Sequence, residues 1–353
     1  MRNELRQDPF SKRWVIIAKG RGRRPHEIGK LGEEPKLPKG YICPLCPGQE
    51  KLNIETFRVG EGKPGKEDWE VRSVLNKSPY FEAFSEEKAG VMVGREIFRH
   101  SIPIGIAEVL VETPNHLKDL PFMSKEEIEK IILAYQMRYG ALRKVWNEVS
   151  IFRNHGYLAG QSITHPHSQI TGTKEKSPES KREELNAIEY YYKHDECIYC
   201  ATIKAEILKK KRIVTETNEF IVICPWASSK PYEIIIFPRR HQSNFEKASL
   251  AEIRELADVL QEILRRMYLG FSDPPYNYYI RSFSSEGPLV NSGHWYLKII
   301  FHLSIPGGYE AYSTAFINAV PPEEAVFYLR KIKTSKINWQ KEYQKLLRAK
   351  NAK

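Results

Sequence analysis

Residues 107–116 read AEVLVETPNH and residues 232–241 read YEIIIFPRRH. Each is a short, β-branched, strand-like run that ends on a histidine, His116 or His241. A glutamate stands eight residues before each histidine (Glu108, Glu233), and a serine stands eight residues after it (Ser124, Ser249). Each serine opens a capping box with a glutamate three positions on, Glu127 or Glu252. The amphipathic runs that follow predict long helices over about 124–148 and 249–269. Beyond each helix a second strand-like segment carries another histidine, His165 in THPHSQI and His294 in GHWYLKI. The chain is thus read as one α+β unit copied, each copy an antiparallel sheet packed against a long helix.

The 353 residues give room for two ordinary domains. The expected division is 1–180 and 181–353, with residues 174–195 as a connector that is polar at first and then helical. With 41% hydrophobic residues and 19 Tyr, 15 Phe and 6 Trp, the composition excludes a disordered chain. No uncharged apolar run is long enough to span a membrane. The opening MRNELRQDPFSKRW lacks the apolar stretch of a signal peptide, so a cytoplasmic protein is expected. The net charge of +11 fits nucleic acid, a membrane surface or phosphorylated ligands equally well, because acidic and basic residues are interspersed.

Four of the five cysteines form two CxxC pairs, Cys43/Cys46 and Cys197/Cys200, while Cys224 sits in the apolar run FIVICPW as a core residue. Without a secretory signal, metal binding or redox chemistry is left. Two pairs in different halves favour structural zinc, which takes four N/S ligands per ion. The repeat supplies the missing ligands. The expected quartets are Cys43/Cys46/His116/His165 and Cys197/Cys200/His241/His294, two zinc ions per chain. In a nucleic-acid-binding C₂H₂ finger the first histidine follows the last cysteine by about 12 residues. Here His116 and His241 lie much further on, so each ion ties a loop to a sheet and no nucleic-acid partner is expected.

The segment NHGYLAGQSITHPHSQITG, residues 154–172, concentrates the chemistry. Along a strand, His165, His167 and Gln169 share one face. Pro166 has no N–H, which puts this stretch at a strand end or an edge. Gly156, Gly160 and Ser162 form a loop whose backbone can approach a phosphate. A neutral His167 beside amide and hydroxyl donors suits nucleophilic attack on phosphorus, with Gln169 holding a phosphoryl oxygen.

The spacing of Asn154, Gly156, Gly160, Ser162, His165, His167 and Gln169 resembles the galactose-1-phosphate uridylyltransferase family of the histidine-triad superfamily. The likeness extends over nearly the whole chain, through CPLCPG, VRSVLNKSPYF and GGYEAYSTAFINAVPPEEA. It implies two histidine-triad-like domains, the first catalytic and the second silent. It also implies a nucleotidylated His167, contacts from Gln169 and Ser162 to the transferred phosphoryl group, and nucleotide contacts from Asn154, Gly160, Asn76, Arg21 and Arg24. Tyr309 and Glu310 match residues that meet the sugar and its phosphate across a homodimer interface.

The implied reaction moves a nucleoside monophosphate, UMP first, between an NDP-hexose and a hexose 1-phosphate by a ping-pong route. The complete second cysteine/histidine set looks like a two-zinc branch of the superfamily resembling ADP-sugar phosphorylases, with phosphate as acceptor. Phe316 replaces a glutamine found in many uridylyltransferases, which also weakens a strict galactose assignment. A hydrolase of dinucleoside polyphosphates is a third reading. Where the first half has His165-Pro166-His167, the second has His294-Trp295-Tyr296. A tyrosine there is no nucleophile at phosphorus, because its pKa lies near 10.

Overall fold

A computed structural model of the chain describes residues 40–63, 65–77, 79, 81, 104–313 and 315–351, with the short strands 4–7, 14–17, 92–93 and 100–101. Arg21 and Arg24 lie outside the described residues.

Among the described residues, ten strands build one sheet. The first half contributes β1 (Glu55–Val59), β2 (Val71–Leu75), β3 (Gly105–Val111), β4 (Glu148–His155) and β5 (His167–Thr173). The second half contributes β6 (Ile213–Glu216), β7 (Phe220–Ile223), β8 (Ile234–Pro238), β9 (Tyr276–Arg281) and β10 (Tyr296–Phe301). The order across the sheet is β6-β7-β8-β10-β9-β4-β5-β3-β2-β1, antiparallel throughout. Each half therefore has the same internal order, and the two meet where β4 pairs with β9. The duplication read in the sequence is a duplication of topology, closed into one continuous sheet.

Helix α1 (Lys125–Leu142) belongs to the first half. Between the halves come α2 (Pro178–His194), capped by Ser177 with a proline in its first turn, and α3 (Ile198–Lys209). The second long helix is α4 (Leu250–Phe271). Both predicted capping boxes form, Ser124 with Glu127 and Ser249 with Glu252. Helices α1 and α4 cover one face of the sheet. Ile131, Tyr135, Leu256, Leu260 and Ile263 pack there with Leu110, Ile151, Ile170, Tyr278 and Ile299 in a core that runs across both halves.

The first helix ends earlier than the 148 expected. The amides of Val145 and Trp146 both return to Leu142 O, and Trp146 folds back onto the sheet. A Cβ at Gly172 would sit 2.5 Å from Trp146 Cδ1, so the close approach requires glycine there. The amphipathic pattern read Trp146 as helical, but its packing on β5 takes it out of the helix.

The opposite face is covered unevenly. Over the first half lies the Cys43–Cys46 loop, whose Leu45 packs with Trp69 on Val74 and Val111. Over the second lie α2 and α3, packed through Ala187, Tyr199 and Ile203 on Ile221, Ile235, Phe237 and Tyr296. The middle strands β5, β4 and β9 run between these two covers. Cys224 is buried in the core, as expected.

The two repeat glutamates do not share a face. Glu108 meets Arg138 of α1 at 2.6 Å and Ser73 at 2.8 Å, on the helix side. Glu233 meets Lys298 at 2.5 Å on the other side. Equal spacing to the histidine did not preserve parity, because a one-residue change in pleat reverses a side chain.

Helix α5 (Leu289–Ser292) precedes β10, and α6 (Gly308–Ser313), α7 (Pro322–Lys331) and α8 (Trp339–Asn351) follow it. The strand Phe316–Asn318 pairs in parallel with Trp14–Ile17. The C-terminal segment is a surface helix, anchored by Trp339 against Phe122 and Tyr268. Among the described residues, no helix is long and apolar enough to cross a membrane.

Candidate active site and metal centres

His165 ends a turn and His167 begins β5, opposite Val111 of β3. Pro166 sits between them at the strand start, where its missing N–H costs nothing, and its carbonyl accepts from Glu112 N at 3.1 Å. The His167 ring is buried, and its Nδ1 lies 2.8 Å from the carbonyl oxygen of His165. A carbonyl only accepts, so Nδ1 carries the proton and Nε2 keeps its lone pair. Burial holds His167 below the usual histidine range, in the neutral form a nucleophile needs.

Both cysteine/histidine quartets assemble, and each puts one ligand atom per residue within 4.8 Å of the others. In the first, His165 Nδ1 is 3.8 Å from Cys43 Sγ and 3.4 Å from Cys46 Sγ, and His116 Nδ1 is 3.2 Å from Cys46 Sγ. In the second, Cys200 Sγ is 3.3 Å from His241 Nδ1 and 3.5 Å from His294 Nδ1. Tetrahedral zinc with bonds of about 2.3 Å to sulfur and 2.0 Å to nitrogen spaces those atoms about 3.5 Å apart, so both donor sets fit the ion.

Each histidine ring of the two quartets is held through its other nitrogen. His165 Nε2 donates to Thr113 O at 2.7 Å, and His294 Nε2 to Pro238 O at 3.0 Å. Thr113 and Pro238 each lie three residues before the other histidine of their set, so the repeat reaches the groups that orient the ligands. His116 Nε2 meets Thr164 Oγ1 at 3.1 Å, and His241 Nε2 donates to Val290 O at 3.0 Å. Burial, then the charge of Cys43, pushes the Cys46 thiol up to about 12. Two thiolates side by side here require a cation between them.

The remaining predicted residues are distributed around His167. Gln169 is opposite Phe152 in β4 and shares the His167 face. Asn154 lies two residues beyond Phe152, in the row of His167, and Gly156 (φ +81°) and Gly160 (φ +84°) shape the loop that follows. Ser162 is exposed on the segment between that loop and the His165 turn. Asn76 follows β2 and donates from its backbone to Ala107 O. Ala107 pairs with Thr171, four residues along β5 from His167 and about 13 Å away. Tyr309 and Glu310 lie on α6, with the Glu310 carboxylate accepting from Gly307 N at 2.6 Å and Ile317 N at 3.1 Å. These bonds tie α6 to the segment that follows it, and the Glu310 charge also reaches Lys230.

The sequence reading missed a buried ionic network on the helix side of the same strands. Arg153 of β4 pairs with Glu112 at 3.0 Å and Asp119 at 2.8 Å and donates to Tyr276 OH at 2.7 Å. Ser168, next to His167, donates to Glu112, and Tyr135 joins both and Tyr278. Asp119 continues to His155, which also meets Asp273. The signal lay in parity: Val149, Ile151 and Arg153 share the buried face, and a cation there needs partners.

Tyr296, at the position matching His167, is buried under α2. Its hydroxyl donates to Glu183 at 2.6 Å, and the same carboxylate takes Tyr199 OH at 3.0 Å and Arg281 Nε at 2.8 Å. The equivalent face in the second half is filled.

Fold and site together define a duplicated histidine-triad-like α+β protein in which the buried His167 stands beside a turn whose donors could hold a metal ion. The family profile for the galactose-1-phosphate uridyl transferase N-terminal domain matches residues 1–176, and that for its C-terminal domain matches residues 183–302. The chain belongs to the galactose-1-phosphate uridyl transferase family and is an enzyme of that transferase class. It is 29% identical to an ADP-glucose phosphorylase of Arabidopsis thaliana over 335 residues, 93% of each chain. It is 27% identical to a galactose-1-phosphate uridylyltransferase of Haemophilus influenzae over 302 residues, 84% of this chain and 82% of that one. The crystal structure of an Arabidopsis thaliana ADP-glucose phosphorylase with bound ADP-glucose superposes with a TM-score of 0.79 at 27% identity, over 94% of this chain and 100% of that chain.

Proposed function

We propose that the chain moves a nucleoside monophosphate, UMP in the first reading, between an NDP-hexose and a hexose 1-phosphate through a covalent nucleotidyl-His167. The observation that carries this is the bond from His167 Nδ1–H to His165 O, which leaves Nε2 as the nucleophile. Nε2 attacks the α-phosphorus; the N–P bond forms as the P–O bond to the departing sugar 1-phosphate breaks. The positive charge that develops on the ring is met at Nδ1 by the His165 carbonyl. A phosphate oxygen of the second sugar 1-phosphate then attacks phosphorus and frees His167.

Gln169, Ser162, Asn154 and the Gly160 backbone hold the phosphoryl group and nucleotide, with Arg21, Arg24 and Asn76 on the phosphates and the base side. Tyr309 and Glu310 serve the sugar phosphate of the partner subunit in a cytoplasmic homodimer, a role implied by the GYE match. Zinc in the first quartet would fasten the Cys43–Cys46 loop to the His165 turn, and zinc in the second would fasten α3 to the β8 and β10 ends. Residues 1–180 carry catalysis, and 181–353 support it, with Tyr296 engaged by Glu183.

A second reading takes inorganic phosphate as acceptor and ADP-sugar as donor. The complete second quartet and the similarity to the Arabidopsis ADP-glucose phosphorylase favour it. Labelled UDP-glucose and ADP-glucose, offered to wild-type and His167→Ala protein, test both readings. An acid-labile adduct is expected in the wild type alone, and its absence with both donors would overturn the mechanism. Discharge of the adduct by hexose 1-phosphate, phosphate or water then identifies the acceptor.

A further inference from the structure

On the middle strands of the sheet Asn277 of β9 uses its whole amide. Its Nδ2 donates to Ala159 O at 2.8 Å and to Asn154 Oδ1 at 2.8 Å, and its Oδ1 lies 2.5 Å from His302 Nε2. The carbonyl of Ala159 can only accept, which fixes the end of the Asn277 amide that bears hydrogens. His302 must then be the donor at Nε2. Asn154 meets Asn277 through its oxygen, so its own two N–H bonds point elsewhere. A Cβ built on Gly160 would lie 3.8 Å from that Nδ2, which places it beside the Gly156–Gly160 loop. Asn154 and Asn277 are direct partners across the seam between the halves, and His302 follows β10.

We propose that His302 and Asn277 are positioning residues of the nucleotidyl-transfer site, holding the Asn154 amide with its N–H groups toward the α-phosphate. The proposal rests on the reading of the chain as a nucleotidyltransferase that uses Asn154 for the nucleotide. A phosphoryl oxygen only accepts, so an amide free to rotate would spend binding energy on being turned the right way. The bonds run in one sense, from His302 to Asn277 to Asn154, and the last free donors are those offered to substrate. Burial, assisted by the charge of Lys230, keeps His302 below the usual histidine range, so the ring is neutral with its proton on Nε2. The second half thus contributes to the first-half site through amide polarity.

The test is the rate of nucleotidyl-enzyme formation with labelled UDP-glucose and ADP-glucose, measured by rapid quench beside thermal stability. His302→Ala is expected to slow adduct formation at saturating donor about tenfold, and Asn277→Asp, which loses both donors, by more. His302→Gln, whose amide N–H can reach the same oxygen, should stay within about threefold of wild type. In an Asn154→Ala background the His302→Ala change should have no further effect. Wild-type rates in both His302→Ala and Asn277→Asp, or equal losses in His302→Gln and His302→Ala, would overturn the proposal. A wild-type protein that forms no adduct would overturn it together with the functional reading, which separates the two failures.

Discussion

The Nδ1 atom of His167 lies 2.8 Å from the carbonyl oxygen of His165, whose own Nδ1 lies 3.4 Å from Cys46 Sγ. The candidate metal ligand His165 and the proposed nucleophile His167 are two residues apart on one turn. That turn is fixed on its other side by Glu112 N to Pro166 O and by His165 Nε2 to Thr113 O.

The two metal centres should therefore differ in consequence. Wild-type protein is expected to hold about two zinc ions per chain, and Cys43→Ser and Cys200→Ser about one each. Cys43→Ser should lose adduct formation with its metal, because the turn that aims His167 loosens. Cys200→Ser should lower Tm while keeping most of the adduct. Metal analysis beside adduct yield checks both, and equal adduct yields in the two variants would contradict the coupling.

The Arg153 network should be a large stability element. Replacing Arg153 with methionine leaves the Glu112 carboxylate without its buried cation and Asp119 with His155 alone. The expected loss is about 3–5 kcal/mol in urea unfolding. A loss under about 1 kcal/mol would show that the carboxylates find other partners.

His155 gives stability a pH dependence. Burial opposes its charge, but Asp273 and Asp119 at 2.9 Å outweigh that and raise it to about 10. The folded value is above the unfolded one near 6.5, so the stabilisation is complete below about pH 6.5 and is lost as pH rises through 10. Wild-type unfolding free energy should fall between pH 7 and 10 by a few kcal/mol more than that of His155→Gln. Parallel curves for the two proteins would remove His155 as the cause.

Restoring a histidine in the second half should not create a second site. In Tyr296→His the ring would still be under α2 and beside Glu183, so labelling should remain about one nucleotide per chain. Tyr296→Phe, which removes one hydrogen bond to Glu183, should cost about 1 kcal/mol and leave labelling unchanged. Two labels per Tyr296→His chain would show that the second face is open.

Much of this was legible from residues alone. The capping boxes at Ser124 and Ser249 are local, since serine and glutamate need only the first turn to find each other. The quartets were legible because the repeat supplied the same ligands twice. What escaped depends on contacts between distant segments. The β4–β9 pairing joins halves whose strands gave no sign of which edges would meet. Glu183 lies inside the charged run KREEL of the connector, and only the packing of α2 on Tyr296 buries it. Asn277 and His302 carry no motif, and their role depends on being beside Asn154 across that seam.

The seam also decides what the two copies can do apart. Cut between them, β4 with eight residues and β9 with six would each become the bare rim of a five-stranded sheet. Their unpaired amides and carbonyls would invite pairing with any passing strand. Neither copy is thus a portable module, and a truncation at the connector should yield aggregates or re-paired halves in place of a working monomeric unit.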